Sequence, residues 1–451
     1  MRGAVRILLL LVGLGLGLGA RAESEKAGSL IDQVWAGHPV GFAMLVERGH
    51  VFVAYYDAER RITVAARAPD EPHWRKVTLP GVWNAAKRRA SNVLGWDSHN
   101  SLVLAADRDG CLHLAGNLHA DPLVYYRTAR SLEIESFERL DRMTGEREER
   151  CTYPRFFRHA SGDLLFSYRD GSSGNASDLI NRYDVSTRTW HRLLPTALFD
   201  GEGKRSAYAL APLLGPDGRF HLLWMWRDTP DAATNQQLSY ARSADLLHWE
   251  DGQGRPLALP LTFGRGDIID AAPPGEGLIN TTYTLGFDAQ QRPVALYHRY
   301  DGNGRSQIFA ARPMGATWER RAVTAWDFRW AFGGTGTLLV DVYLHPTRQG
   351  RDGSLLVPVS GRAVPGGQLR LDPQTLALQE ILPPEKSPLP DELMRAHATE
   401  AELEVRTLVV HADGKRYVLR WETLPSNRDR PRDEVPAPTE LRLFEFPSDP
   451  S

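Results

Sequence analysis

One pattern recurs along this 451-residue chain: a turn rich in Asp or Gly, an apolar strand of four to seven residues, and later an aromatic residue. Turn glycines followed by such a strand stand at Gly110, Gly162, Gly218, Gly353 and Gly414, and "DAQQRP" around Gln290 takes the same place once. The closing aromatics are Trp74, Phe137, Trp190, Trp249 and Trp318, at intervals of 63, 53, 59 and 69 residues. A four-stranded unit of this size cannot bury its faces alone, so the units must stack, and a ring leaves none of them with an open end. Dividing residues 23–451 by about 60 residues per unit gives close to seven. The expected fold is therefore all-β, a single seven-bladed β-propeller domain over residues 23–451. A β-sandwich with long loops is the alternative.

Segments such as "FHLLWMWR", "RPVALYHRY", "QIFAAR" and "SLLVPVS" support sheet throughout, because helical periodicity is scarce. The Pro-rich stretch "PSNRDRPRDEVPAPTE" (Pro425–Glu440) reads as a long late loop before a closing strand, "LRLFEFP". That strand is expected to complete a sheet begun near the start of the domain.

Residues 1–22 combine Arg2 and Arg6, a short apolar run from Leu8 to Gly19, and Ala20-Arg21-Ala22. This is the pattern of a cleaved export signal, and the run is too short to span a membrane. A soluble, periplasmic or secreted monomer is the expectation. Losing three arginines leaves 51 basic against 56 acidic residues, a net charge of −5 that argues against a nucleic-acid partner. Export also permits a disulfide between the two cysteines, Cys111 and Cys151, with two buried thiols as the other reading. They form a zinc site only if histidines complete it. No cofactor is needed for the chemistry below; a structural calcium or zinc ion is possible, with no ligand set assigned.

The stretch "WDSHNSLVLAADRDGCLHLAGNLHADPLVYY" carries the sharpest functional signal. Pairing "SLVLAAD" with "CLHLAGN" around the Asp107–Gly110 turn sets residue 99 opposite residue 118 or 119. His99 and His119 then share one end of a hairpin, at one mouth of the central channel. His113, His159, His221 and His248 read instead as structural. In "CTYPRFFRHASGDLLFSYRDGSSGNA" the same reasoning sets Tyr153 near the start of one strand and Arg169 near the end of its partner, with Arg155 beside them. Arg227 and Arg299 occupy corresponding strand ends in later units. Arginines repeated at one mouth point to an anionic ligand, and a planar fork suits a carboxylate. Asn100 and Asn117 flank the histidines as orienting or sugar-binding groups, and Trp96 and Tyr126 offer stacking faces or core packing.

The phrases "WDSHN…GNLHADPLVYYR", "TYPRFFRHASGDLLFSYRDGSSGN", "YARSADLLHWE" and "YHRYDGNGRSQIFAAR" resemble the bacterial BNR-repeat family of seven-bladed propeller enzymes that contains the ulvan lyases. The resemblance runs from about His50 to Gly336. It implies that His99, His119, Tyr153 and Arg169 cleave a uronic-acid-containing, ulvan-like polysaccharide by β-elimination. The family also holds enzymes that release rhamnose from rhamnosyl-glucuronic acid ends, so an exo-acting rhamnosidase-like hydrolase is a second expectation. A non-catalytic carbohydrate-binding propeller is the third, since a fold does not fix an activity.

Elimination suits these groups. An arginine beside the uronate carboxylate stabilises the charge that develops when C5 loses its proton. A neutral histidine, with an ordinary pKa of about 6.5, can take that proton near neutrality. Tyr153 or the second histidine then protonates the departing O4, and base and donor can be exchanged. Hydrolysis ordinarily needs two carboxylates, for which Asp97 and Asp121 are candidates. "SADLLHW" (Ser243–Trp249) resembles a sialidase Asp-box only loosely and marks a structural turn.

Overall fold

A computed structural model describes residues 28–387, 389–397 and 402–448; the expected export signal lies outside them. Helix among the described residues amounts to two single 3₁₀ turns, Ile134–Ser136 and Ala232–Thr234, and no helix is long and apolar enough to cross a membrane. The rest is antiparallel sheet arranged as a β-propeller.

Six sheets of four or more strands are each built within one stretch of chain. The first holds Ala43–Glu47, His50–Tyr56, Ile62–Arg67 and Arg75–Thr78. The second holds Leu102–Ala106, Leu112–Gly116, Tyr125–Thr128 and Phe137–Leu140. The third is built around Cys151–Arg158, Leu164–Ser172 and Asn175–Asp184, and borrows His119–Asp121 from the loop of the second. A further sheet forms only when the ends meet: Ser29–Val34 pairs with Thr439–Pro447, Ser29 facing Leu443. "LRLFEFP" thus completes a sheet begun near the start of the domain, as its sequence suggested.

First strands ring the axis. Ala43–Glu47 packs on Leu102–Ala106 and on Glu404–Ala412, and Leu102–Ala106 packs on Cys151–Arg158. Second strands have neighbouring sheets on both faces, so they read as apolar runs without alternation; every residue of Phe220–Arg227 is buried. Closing aromatics mark the fourth strands: Trp190 lies in Thr189–Arg192, Phe137 opens Phe137–Leu140, and Trp318 lies in Thr317–Ala322. The turn between first and second strands demands left-handed backbone, which glycine adopts without a Cβ penalty, as at Gly110 (φ 85°) and Gly218 (φ 74°). In "DAQQRP" Gln291 takes that conformation itself (φ 61°).

Both cysteines are free and buried, the second of the two expected forms: Cys111, just before Leu112–Gly116, has its Sγ 3.9 Å from Arg188 Nη2, whereas Cys151 Sγ faces the Glu148 carbonyl. No disulfide joins them.

Candidate active site

Register around the Asp107–Gly110 turn pairs Leu102 with Gly116, which carries the two histidines to one place beyond the strand ends. Their rings stack with centroids 4.5 Å apart and planes 22° from parallel. Asp97 lies between them: Oδ1 is 2.8 Å from His99 Nδ1, and Oδ2 hydrogen-bonds His119 Nδ1. The two imidazoles hold the Asp97 carboxyl far below its usual range, against the opposing effect of burial. Asp429, on the late Pro-rich loop, accepts from the Ser98 backbone N–H (3.0 Å) and the Thr337 backbone N–H (2.8 Å), tying the His99 loop to two distant segments.

Tyr153 faces both rings, its centroid 6.0 Å from His99 and 6.2 Å from His119. It sits at a bulge, where pairing slips between Thr152 and Arg155, and its φ of 53° is costly for an aromatic residue. Among the described residues its hydroxyl has no hydrogen-bond partner. Arg169, on the neighbouring strand opposite Thr152, lies over the Tyr153 ring at 4.7 Å and the Tyr208 ring at 5.2 Å. It is 2% exposed, and among the described residues none of its three side-chain nitrogens makes a hydrogen bond of good geometry, although the Tyr208 hydroxyl interacts with it. This corrects the expectation that Arg169 opens onto the channel mouth: its charge stands behind two tyrosines.

Tyr208 escaped the sequence reading. Its ring lies under the Arg227 guanidinium at 4.2 Å, and its hydroxyl is 3.2 Å from Arg227 Nη1 and 2.8 Å from Ser173 Oγ. Burial alone raises a phenol pKa, but Arg169 and Arg227 outweigh it and bring Tyr208 below its ordinary value. Tyr153, more by burial than by the Tyr208 charge, is pushed up to about 12. Tyr153, Tyr208 and Tyr283 all stand on first strands of successive sheets, so aligning the repeats would have exposed the series.

His99, Tyr153, Arg155, Asp178, Tyr208 and Tyr283, among others, line one cavity of about 270 Å³, with His119 stacked on His99. Arg155 is the cation in that lining, with Nη1 3.1 Å from the Ala209 carbonyl. Asp178 faces it too; burial lifts its carboxyl to about 7 although Arg169 and Arg155 pull the other way.

Other expected binding groups stand elsewhere. Arg299 is bound to Asp270 (2.5 and 2.6 Å), which Arg320 and Tyr297 also engage, so it is not a free cation at the mouth. Tyr126 is core, its hydroxyl 2.7 Å from the Pro80 carbonyl. Trp96 is half-buried and packs edge-on against Trp35 with Arg60 over both rings, away from the residues that line this cavity. Asn100 is buried and its carbonyl accepts from the Tyr56 hydroxyl at 2.6 Å. Asn117 donates to the Ser91 and Val93 carbonyls and faces a separate cavity beside Trp83. Asp121 lines that second cavity, 3.4 Å from Lys87 Nζ. His113 and His221 are structural, each held between a tyrosine hydroxyl (2.7 Å) and an aspartate.

Among the described residues, the ligand atoms of Asp97, His99 and His119 converge within 4.8 Å, close enough to hold a metal ion. As placed, both Nδ1 atoms are directed to the carboxylate, so the trio is assigned as a hydrogen-bonded group and not as metal ligands. Neither cysteine belongs to it.

Residues 50–326 match the BNR repeat-containing family. The chain belongs to that family. Among curated proteins it is similar to the ulvan lyase, long isoform, of Pseudoalteromonas sp. (strain PLSV), 27% identical over 153 residues. That stretch is 31% of this chain and 15% of the relative. The corresponding protein of Glaciecola sp. (strain KUL10) is 29% identical over 141 residues, 22% of this chain and 14% of the relative. Among solved structures, the polysaccharide lyase Uly1 superimposes with a TM-score of 0.57 at 15% identity, covering 94% of this chain and 95% of that one. A PL25 ulvan lyase bound to -[GlcA(1-4)Rha3S]- gives a TM-score of 0.54 at 14% identity, covering 92% and 95%. At that identity the likeness speaks for the fold.

Proposed function

We propose that this propeller, with the end-to-end sheet counted as a seventh blade, is an exported polysaccharide lyase that cleaves uronate-containing, ulvan-like glycans by β-elimination. The observation that carries this reading is one cavity lined by His99, Tyr153 and Arg155, with His119 stacked on His99. A uronate ring enters with its carboxylate toward Arg155, and the buried charge of Arg169 adds to the positive field behind Tyr153 and Tyr208. An imidazole Nε2 removes the C5 proton, the C–H electrons form the C4=C5 double bond, and the C4–O4 bond breaks. O4 takes a proton from its donor, for which the Tyr153 hydroxyl is placed. The products are an unsaturated uronate end and a new hydroxyl end. Similarity to ulvan lyases supports a polymer of glucuronate and rhamnose as the substrate class.

Hydrolysis by two carboxylates is less well supported: among the described residues Asp178 is the only carboxyl lining the cavity, Asp97 is engaged by both histidines, and Asp121 belongs to another cavity. The test is to incubate the protein with ulvan and with rhamnose-capped glucuronic acid glycans. Ultraviolet absorbance of a conjugated uronate supports elimination. Free rhamnose without absorbance overturns it in favour of hydrolysis, and binding without product on a broad acidic-glycan panel overturns it in favour of a lectin.

A further inference from the structure

We propose that Asp97 is a shared positioning residue that holds both imidazoles as Nδ1–H tautomers, so that each ring of the neutral pair keeps Nε2 as an acceptor and offers no donor, His99 in the cavity lining and His119 stacked on it. The geometry stands independently of the reaction; its catalytic consequence rests on the lyase reading above.

An ionised carboxylate only accepts hydrogen bonds. Each Asp97 oxygen meets one Nδ1, so each Nδ1 must carry its proton, and in a neutral imidazole the other nitrogen is then a bare acceptor. Neither Nε2 has a hydrogen-bond partner among the described residues. The surrounding groups leave this arrangement in place. Asp429 is 3.6 Å from His99 Nδ1, beyond hydrogen-bond distance, and is occupied by Ser98 and Thr337. His38, on the far side of Asp97, is kept neutral by burial, with a pKa lowered to about 4. Tyr153 presents its ring to the pair.

The consequence is an assignment of roles that residue types alone leave exchangeable. A histidine pair locked as acceptors removes the C5 proton, and the Tyr153 hydroxyl, with no partner among the described residues, donates to O4. One carboxylate thus sets the protonation pattern of both rings, which explains why it lies between them instead of behind one.

Asp97→Asn is the informative substitution. The amide keeps one accepting oxygen, but its NH₂ must donate, and the ring it faces must turn its proton to Nε2. Nitrogen-15 spectra of labelled histidine, assigned through His99→Gln and His119→Gln, are expected to show Nδ1–H in both rings of the native protein and a switch in one ring of Asp97→Asn. Turnover should fall by about 10³- to 10⁴-fold, as in other carboxylate–imidazole sites given the wrong tautomer, with KM within a few fold. An Nε2–H signal from either ring of the native protein would overturn the proposal. So would an Nδ1 occupied by a metal that a chelator removes, or native turnover in a variant whose tautomers are unchanged. The native spectrum needs no substrate and no folded Asp97→Asn, so it decides the tautomers even if the lyase reading fails.

Discussion

His99 and His119 stack at 4.5 Å although they belong to different sheets: His99 precedes the first strand of the second sheet, and His119 pairs with Thr152 of the third. The hairpin register brings the two rings together, and the pairing with Thr152 ties His119 to the adjacent sheet. His99→Ala and His119→Ala should each lower turnover on an acidic glycan by about 10²-fold or more. The double variant should be scarcely worse than either single one, because groups acting as a unit are not additive. Side-chain exposures of 27% and 30% predict little change in thermal unfolding. Near-native initial rates in both single variants would remove the pair from the site.

Tyr153→Phe keeps the ring that packs on the histidines and removes only the unpartnered hydroxyl. The expected outcome is a loss of about 10²-fold in kcat with KM within a few fold, measured on a soluble glycan. A rise in KM alone would make Tyr153 a binding group and require another donor.

How far the sequence could be read depended on whether the deciding contact was local. The histidine pair was legible because the Asp107–Gly110 turn fixes the Leu102–Gly116 register, and side-chain alternation does the rest. Tyr153 and Arg169 followed from the same logic across Thr152. What failed were claims about partners far along the chain. Arg299 and Arg227 occupy similar strand ends, but Asp270 claims the first, while the second is left against Tyr208. Asp429 reaches Ser98 across 331 residues, a contact that no local pattern announces. The depth of Arg169 was also hidden, since it depends on Tyr208 closing over it from the next sheet.

Arg169→Met removes the cation lying over both tyrosine rings while keeping an unbranched side chain. Tyr208 should then ionise at higher pH, because one of the two charges that lower its pKa is gone and burial remains. Ultraviolet difference titration of the native protein and the variant reads this directly, and turnover should fall about 10²- to 10³-fold with it. An unchanged phenol titration would mean that Arg227 alone governs Tyr208.

Both thiols should be unreactive in the native protein and fully reactive once it is unfolded without reductant. Burial raises both pKa values, Cys151 the more, and the two side chains meet different partners. A thiol assay giving zero thiols after unfolding would restore the disulfide.

Asp178 makes the fold sensitive to pH in a direction opposite to that of most carboxylates. Its native pKa is about 7 against an ordinary 3.8, so between those values the folded state holds a proton that the unfolded chain has released. Stability changes with pH in proportion to the protons bound by the unfolded state minus those bound by the native state, so this group lowers stability as pH rises through that window. Asp97, whose pKa is depressed, acts below the window: its contribution is lost as pH falls under 3.8. His38 acts within it with the opposite sign, since its native pKa of about 4 lies below the ordinary 6.5 and stability gains as the unfolded histidine loses its proton. A single denaturation curve therefore cannot isolate Asp178, whereas the difference between the native protein and Asp178→Asn can. The neutral amide has nothing to release, so the variant should gain on the native protein steadily from pH 3.8 to about 7 and hold a constant difference above. Urea midpoints taken across that range measure the effect. A flat difference would mean that Arg169 and Arg155 keep Asp178 ionised, and that the cavity carries a fixed negative charge beside the place proposed for the uronate.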